Sequence, residues 1–404
     1  MKAVEGWSSS PLGQLLISKN DKSKQVKSTE YAPIGSYPIV DQSSEFICGY
    51  HDDKTKLIET NLPLTVFGDH TRHTKFISFP FICGADGTQL LKPKSDFEDK
   101  FFFYLVAWAA VKIGNYGYDR HFKHLKEFEC DYPDDPIEQT KIAEVLSTVD
   151  RAIEQTEALI AKQQRIKTGL MQDLLTRGID EHGNLRSEQT HEFKDSPLGR
   201  IPVEWEVVTA GEVAKSLVPG RDKPELDGGG VPWITMPDIE EMYLQAAKTG
   251  FSLSLNAIKA ANARLMPKGT VLMSCVGEFG IATIATVDVV ANQQLHGFIC
   301  DQNVLPEWLV VQITGDGQRI DRMATQTTIK YLNKTGCESI LIAVPDLQEQ
   351  ERSIRLLRRV MNLLTQQRMH LAKFQAIKTA LMQDLLTGKK RVTPLLKETE
   401  VTNV

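Results

Sequence analysis

The sequence predicts an α+β protein in which one plan is executed twice: two mixed domains separated by two long helices forming an antiparallel coiled coil, a pseudo-two-fold internal repeat. Three observations predict it. An eleven-residue block at 166–176 (IKTGLMQDLLT) returns at 377–387 (IKTALMQDLLT), with Gly169 replaced by Ala380. Recurrence at about half the chain length marks an internal duplication. Ahead of each copy, apolar residues recur at alternating spacings of three and four, the seam of a long helix packed on another. Further upstream, short β-rich runs are divided by turns containing Gly, Asp and His.

Residues 1–133 form the first mixed domain, with YPIV (37–40), LTVF (64–67) and KFISFPFI (75–82) as strands and 98–113 as an apolar helix. The first long helix occupies 134–177. Asp134 and Asp135 oppose the dipole at its start, Pro136 suits its first turn, and Gly178 stops it. Its stripe runs through Ile142, Val145, Val149, Ala152, Thr156, Leu159, Gln163, Ile166 and Leu170. Residues 178–197 are polar and without periodicity, a linker. The second mixed domain, 198–345, answers the first: VPWI (231–234) matches YPIV, MPKGTVLMSCVGEFG (266–280) matches the LPLTVFGDH region, and a helix at 305–314 takes the place of 98–113. The second long helix covers 346–388, with Leu356, Val360, Leu363, Gln367, His370, Phe374, Ile377 and Leu381 on its stripe, and 389–404 is a charged, flexible tail. The offset of 211 residues between the blocks also pairs Glu138-Gln139 with Glu349-Gln350.

With 404 residues, 41% apolar, 25% charged and a net charge of -5, the composition is that of an ordinary globular protein. Mild acidity does not exclude nucleic acid, because binding depends on where the cations cluster. Lys19, Lys22, Lys24 and Lys27 form one such cluster. The six cysteines include no Cys-x-x-Cys pair and read as core residues of a reducing cytosol. An N-terminus without an apolar h-region, and no run of 18 apolar residues, point to a cytoplasmic chain that does not span a membrane.

Catalytic signatures are missing. The sequence has no Gly-x-x-x-x-Gly-Lys phosphate loop, no Gly-x-Ser-x-Gly elbow, no His-Glu-x-x-His and no Asn/Asp-Pro-Pro-aromatic tetrapeptide. His70 and His73 with Asp69, and His121 with His124, are each short of a full ligand set, so no metal is expected.

The two repeated blocks, the DSPLGRIPVEWEV segment (195–207), the Glu-Gln pairs, VFGDHTRHTKFI with GADGTQLLKP, and ANQQLHGF (291–298) together resemble the specificity subunit of type I restriction-modification enzymes. The resemblance covers essentially the whole chain. It implies a non-catalytic subunit whose two target recognition domains read the halves of an asymmetric bipartite site in double-stranded DNA. It also implies paired helices that measure the unread spacer and dock two methyltransferase subunits, with restriction subunits joining the full complex. No cofactor is expected on this chain: S-adenosylmethionine, ATP and Mg belong to the partner subunits.

Base reading calls for Arg, Lys, Asn and Gln at major-groove edges, and phosphate contacts call for positive charge. In the first domain this selects Lys19, Lys22, Lys24, Lys27, His70, Thr71, Arg72, His73, Lys75, Tyr116 and Arg120. In the second it selects Arg221, Lys223, Asn292, Gln293, Gln294, Thr325, Gln326, Thr327, Lys330 and Tyr331. The structural alternative for Gln293 and Tyr331 is a satisfied core group. The GADG turn at 84–87 suits close backbone approach. Partner docking falls to the repeated block, through Leu170, Met171, Leu174, Leu381, Met382 and Leu385. Two other readings stand beside this one: a coiled-coil scaffold joining two protein-binding domains without touching DNA, and an autonomous DNA-modifying enzyme. At Gly169, where glycine costs a helix interior roughly 1 kcal/mol against alanine, either close packing or drift is expected.

Overall fold

The computed structural model describes residues 5–84, 87–94, 97–115, 120–220, 222–325 and 328–395. The chain divides into two compact units, Met1–Ala158 with Arg368–Val404, and Leu159–Gln367.

The first unit begins with β1 (Trp7–Pro11), the short helix α1 (Leu12–Leu15), β2 (Leu16–Ser18), β3 (Tyr37–Val40), β4 (Gly49–His51), β5 (Leu57–Ile58), β6 (Leu64–Gly68), β7 (Thr74–Ile77), β8 (Phe81–Cys83) and β9 (Thr88–Pro93). There follow α2 (Asp99–Lys112), α3 (His121–Glu127), β10 (Glu129–Pro133) and the long helix α4 (Pro136–Thr176), which continues into the second unit. The strands make an antiparallel sheet of order β2-β9-β6-β7, a sheet of order β4-β3-β8-β5 with β3 and β8 parallel, and a β1-β10 ribbon. Helix α2 starts where the Glu98 carboxylate accepts from Phe101 N–H, and it buries Phe101, Phe102, Tyr104, Leu105 and Trp108. They share a core with Ile142 and Leu146 of α4, and with Met382 and Leu385 of the last helix, α10 (Leu347–Leu385).

The second unit repeats this plan. After α4 come β11 (Phe193–Ser196), β12 (Gly199–Pro202), β13 (Glu206–Thr209), α5 (Ala210–Val213), β14 (Ala214–Leu217), β15 (Val231–Ile234), β16 (Tyr243–Leu244), β17 (Ser252–Leu253), α6 (Leu255–Ala260) and β18 (Leu265–Met266). Next are β19 (Val271–Ser274), β20 (Ala282–Ala285), β21 (Val289–Ala291), β22 (Leu295–Cys300), α7 (Pro306–Gly315), α8 (Gly317–Met323), α9 (Lys334–Glu338) and β23 (Leu341–Val344). The sheet β14-β22-β19-β20-β16 answers β2-β9-β6-β7. The sheet β17-β15-β21-β18, with β15 and β21 parallel, answers β4-β3-β8-β5, and the β13-β23 ribbon answers β1-β10. YPIV and VPWI thus occupy equivalent strands.

Within each unit the two long helices run antiparallel. In the first, the start of α4 meets the end of α10: Asp150 pairs with Lys378 at 2.6 Å, and Tyr104 Oη donates to Asp150 at 2.7 Å. In the second, the end of α4 meets the start of α10, with Leu174, Ile354 and Leu357 in one core. The inward register differs from the expected stripes at several points: Leu363 is 46% exposed beside Leu364 at 4%, and Leu159, Ile166 and Ile377 are 38%, 48% and 36% exposed. Burial in a given unit depends on what packs there, which a heptad template does not encode.

The repeated Glu-Gln pair is buried in both units. Gln139 accepts from Glu98 N–H at 3.0 Å and donates to the Pro133 carbonyl at 3.0 Å. Gln350 accepts from Leu305 N–H at 2.9 Å and donates to the Pro345 carbonyl at 2.9 Å. Each glutamine therefore ties the start of a long helix to the entry of the domain's apolar helix. Each glutamate meets an arginine that follows the end of the other long helix: Glu138 takes Arg391 at 2.6 and 2.7 Å, and Glu349 takes Arg186 on both oxygens. Glu349 also accepts from Trp205 Nε1 at 3.2 Å and from Ile179 N–H at 3.0 Å. Residues 178–186, expected as a free connector, thus place Ile179 and Arg186 in the interior. Both long helices end in a left-handed glycine, Gly178 (φ 62°) and Gly388 (φ 65°). A Cβ on Gly178 would lie 2.1 Å from Glu349 Oε1, so glycine alone lets the chain turn there.

A Cβ added at Gly169 meets nothing within 4 Å, which removes close packing as the reason for glycine. Gly169→Ala is expected to raise stability by roughly 1 kcal/mol, read as a shifted urea midpoint at unchanged m-value.

His296 on β22 is buried, with its ring 4.8 Å from Phe298 and Nε2 2.5 Å from Ser216 Oγ. Burial pushes its imidazole down to about 4 from the ordinary 6.5. The unfolded chain takes up this proton near pH 6.5 and the folded chain only near 4, so stability is full above that window and is lost as pH falls through it. Roughly 3 kcal/mol should disappear between pH 6.5 and 4. Urea unfolding of His296→Gln across this range should show a correspondingly flatter pH dependence.

Candidate nucleic-acid interface

In the first unit the candidate surface centres on the tip of the β6-β7 hairpin, residues 69–73. Arg72 sits at φ 60° in the tip, with its N–H on the Gly68 carbonyl and Nη1 on the Ile113 carbonyl at 3.0 Å. Asp69 is buried and holds the tip to α3: its carbonyl accepts from His121 N–H at 2.9 Å, and its carboxylate accepts from Phe122 N–H at 2.7 Å. A second brace is Gln42, which sequence reasoning missed. Its carbonyl accepts from Thr71 Oγ1 and its side chain accepts from His70 N–H. No local pattern links Gln42 to a hairpin 28 residues away. His70, Thr71 and His73 are exposed. The Arg120 side chain, 71% exposed, stands beside them with Nε 4.0 Å from the Asp69 carboxylate. Tyr116 and the centre of the GADG turn lie outside the described residues.

Lys75 does not belong to this surface. Its residue is 5% exposed, and Nζ donates to the carbonyls of Asp41 and Glu45, so it holds the 41–48 loop from within. The strand period explains the correction: on β7, Lys75 shares the inward face with Ile77. Of the lysine cluster, Lys19, Lys22 and Lys27 are exposed, whereas Lys24 is half-buried with Nζ on the Leu57 carbonyl at 2.8 Å.

In the second unit the candidates fall in two places. Lys223, Asn292, Gln293 and Gln294 line a groove of about 380 Å³ floored by Trp233. Thr325, Lys330 and Tyr331 lie along a loop tied to the end of β19: Gly277 N–H donates to the Lys330 carbonyl at 2.9 Å, and Thr325 N–H to the Tyr331 carbonyl at 3.1 Å. Lys330 Nζ is 2.6 Å from the Asp321 carboxylate. Gln293 is exposed and Tyr331 is 46% exposed, so neither is a core group. Arg221, Gln326 and Thr327 lie outside the described residues.

The repeated block divides between interior and surface. Leu174 is 1% exposed, Met382 8% and Leu385 6%, and each packs in the core of its own unit; this corrects their assignment to a docking face. Leu170, Met171 and Leu381 are partly buried against the same cores.

Comparison with known proteins gives this geometry its setting. A model of the type I restriction modification DNA specificity domain matches residues 4–163 and again 202–372. The chain belongs to this family. It is a DNA specificity subunit and not a catalytic one. A Methanocaldococcus jannaschii protein with the provisional name type I restriction enzyme MjaX specificity subunit is 27% identical over 305 residues, 73% of this chain and 66% of that protein. The Escherichia coli type I restriction enzyme EcoR124I/EcoR124II specificity subunit is 21% identical over 364 residues, 86% of this chain and 85% of its own. In fold, the chain is similar to the S subunit of a type I restriction-modification system from M. genitalium, with a TM-score of 0.62 at 16% identity, covering 96% of this chain and 98% of that one. A chain from a study of complex assembly and conformational transition in a type I system has a TM-score of 0.57 at 17% identity. The specificity subunit described here has no group of three His, Cys, Asp or Glu able to hold a metal ion among its described residues. Within the same limits, no helix is long and apolar enough to cross a membrane.

Proposed function

We propose that this specificity subunit reads an asymmetric bipartite site in double-stranded DNA, one half with each mixed domain, while its paired helices set the spacer and dock two methyltransferase subunits that carry S-adenosylmethionine. Restriction subunits, with ATP and Mg, join that assembly in the cytoplasm. The observation that carries this reading is likeness inside and unlikeness outside. The two units share sheet order and the Glu-Gln contacts at their helix starts, yet the first exposes imidazoles at its β6-β7 tip with Arg120 beside them, and the second exposes amides in its β21-β22 turn. A shared frame suits two copies of one partner, and different exposed chemistry suits two different half-sites.

Methylation sequencing of a host expressing this chain with its modification subunits tests the reading; a split motif is the expected result, and a contiguous motif overturns it. Replacing Lys19, Lys22 and Lys27 with alanine should lower the slope of log affinity against log salt by about 0.9 for each phosphate that is no longer neutralised. An unchanged slope would favour a scaffold that does not touch DNA with this face.

A further inference from the structure

The Asn292–Gln294 couple on the groove of the second unit has a fixed polarity. Gln294 backbone N–H donates to Asn292 Oδ1 at 3.1 Å. A backbone N–H can only donate, so the atom it meets must be the amide oxygen, and the other Asn292 atom must be Nδ2. Nδ2 in turn donates to Gln294 Oε1 at 3.0 Å, which fixes the second amide as well. Each acceptor oxygen thereby takes one of its two possible hydrogen bonds within the couple. What remains for a ligand is one hydrogen on Asn292 Nδ2 and two on Gln294 Nε2, none with a partner among the described residues. An Asn or Gln that reads adenine offers one donor and one acceptor, to N7 and N6. This couple offers mainly donors, three free hydrogens against two oxygens that each already accept one hydrogen bond.

Lys223 on the same groove adds another donor, and the Gln293 amide is turned away, with Nε2 toward the Gly220 carbonyl at 3.4 Å. Of the four base edges in the major groove, only guanine presents two acceptors, N7 and O6. Asp222, a carboxylate on the groove, suits cytosine of the same pair, whose N4 amino group is a donor.

Resting on the proposed reading of DNA by the second domain, the geometry points to Asn292 and Gln294 as a donor-rich couple that specifies a G·C pair through guanine N7 and O6. Gln294 is the principal reader and Asn292 positions it while adding its own hydrogen.

The test uses the full chain assembled with its modification subunits. Methylation sequencing first gives the wild-type motif, and Gln294→Ala should then relax one guanine position in one half-site while the other half-site stays intact. Gln294→Glu, which places acceptors where the donors stood, should select against guanine at that position. A measurement without mutation keeps the inference open to refutation if a variant fails to assemble. In the wild-type complex, 7-deazaguanine at that guanine of the motif duplex should weaken binding on the order of tenfold to a hundredfold. Relaxation at an A·T position, no relaxation with the split motif retained, or indifference to 7-deazaguanine at every guanine of the half-site overturns the guanine assignment and leaves the proposed function standing. A wild-type motif that is contiguous overturns the proposed function and this guanine assignment with it.

Discussion

Glu349→Ala is expected to destabilise the second unit by about 3–5 kcal/mol, the usual cost of removing one partner from a buried ion pair. The carboxylate accepts from the Arg186 guanidinium, Trp205 Nε1 and Ile179 N–H, so the substitution leaves a buried cation and two buried donors without partners. Burial works against the Arg186 charge, and Glu349 more than offsets it, so the guanidinium is held above its ordinary pKa. With folding free energies of about 5–15 kcal/mol, this one change removes a large share of the total. Urea unfolding read by hydrogen exchange should show the loss in the amides of β13 and β23. Glu349→Gln, which keeps an acceptor oxygen and the side-chain volume, should cost less.

Arg391→Ala should weaken the first unit by about 2–3 kcal/mol, less than the full buried-pair value because the arginine side chain is 30% exposed while that of Glu138 is 1% exposed. Arg391 also donates to the Glu5 carbonyl at 2.8 Å and lies 5.8 Å from the Trp7 ring, so hydrogen exchange should accelerate in β1 and β10. The neighbouring Lys389 and Lys390 side chains are 67% and 72% exposed and serve as controls; alanine at either should stay within about 0.5 kcal/mol of wild type.

These two arginines mark where the sequence stops being readable. The duplication, the strands YPIV and VPWI, the apolar helices and the Glu-Gln pairs all follow from spacing, because helix and strand periods and an internal repeat are local signals. The partners of the glutamates are not. Arg186 lies in a polar segment with no period and Arg391 in a tail, and only folding brings them to carboxylates 163 and 253 residues away. At the candidate interface the exposed tip of the β6-β7 hairpin and the Asn292–Gln294 turn were legible from their side-chain types, clustered groups able to meet base edges or phosphates. The error at Lys75 came from weighing its charge above its strand phase. The errors at Leu174, Met382 and Leu385 came from assigning apolar residues to a partner when their own chain buries them, the commoner fate of Leu and Met.

The division of the chain also sets an order of assembly during synthesis. The second unit is one continuous stretch, Leu159–Gln367, and has all of its residues before the last helix is finished. The first unit takes Arg368–Val404 as well, and its core contains Met382, Leu385, Leu386 and Val392. Domains fold as units while the ribosome elongates, so the part of the protein translated first is the part completed last. Until the final turns of α10 emerge, the apolar faces of α2 and of the start of α4 wait without their cover. A pause in translation before α10 is finished would therefore leave the first unit exposed to proteases and chaperones while the second is already closed.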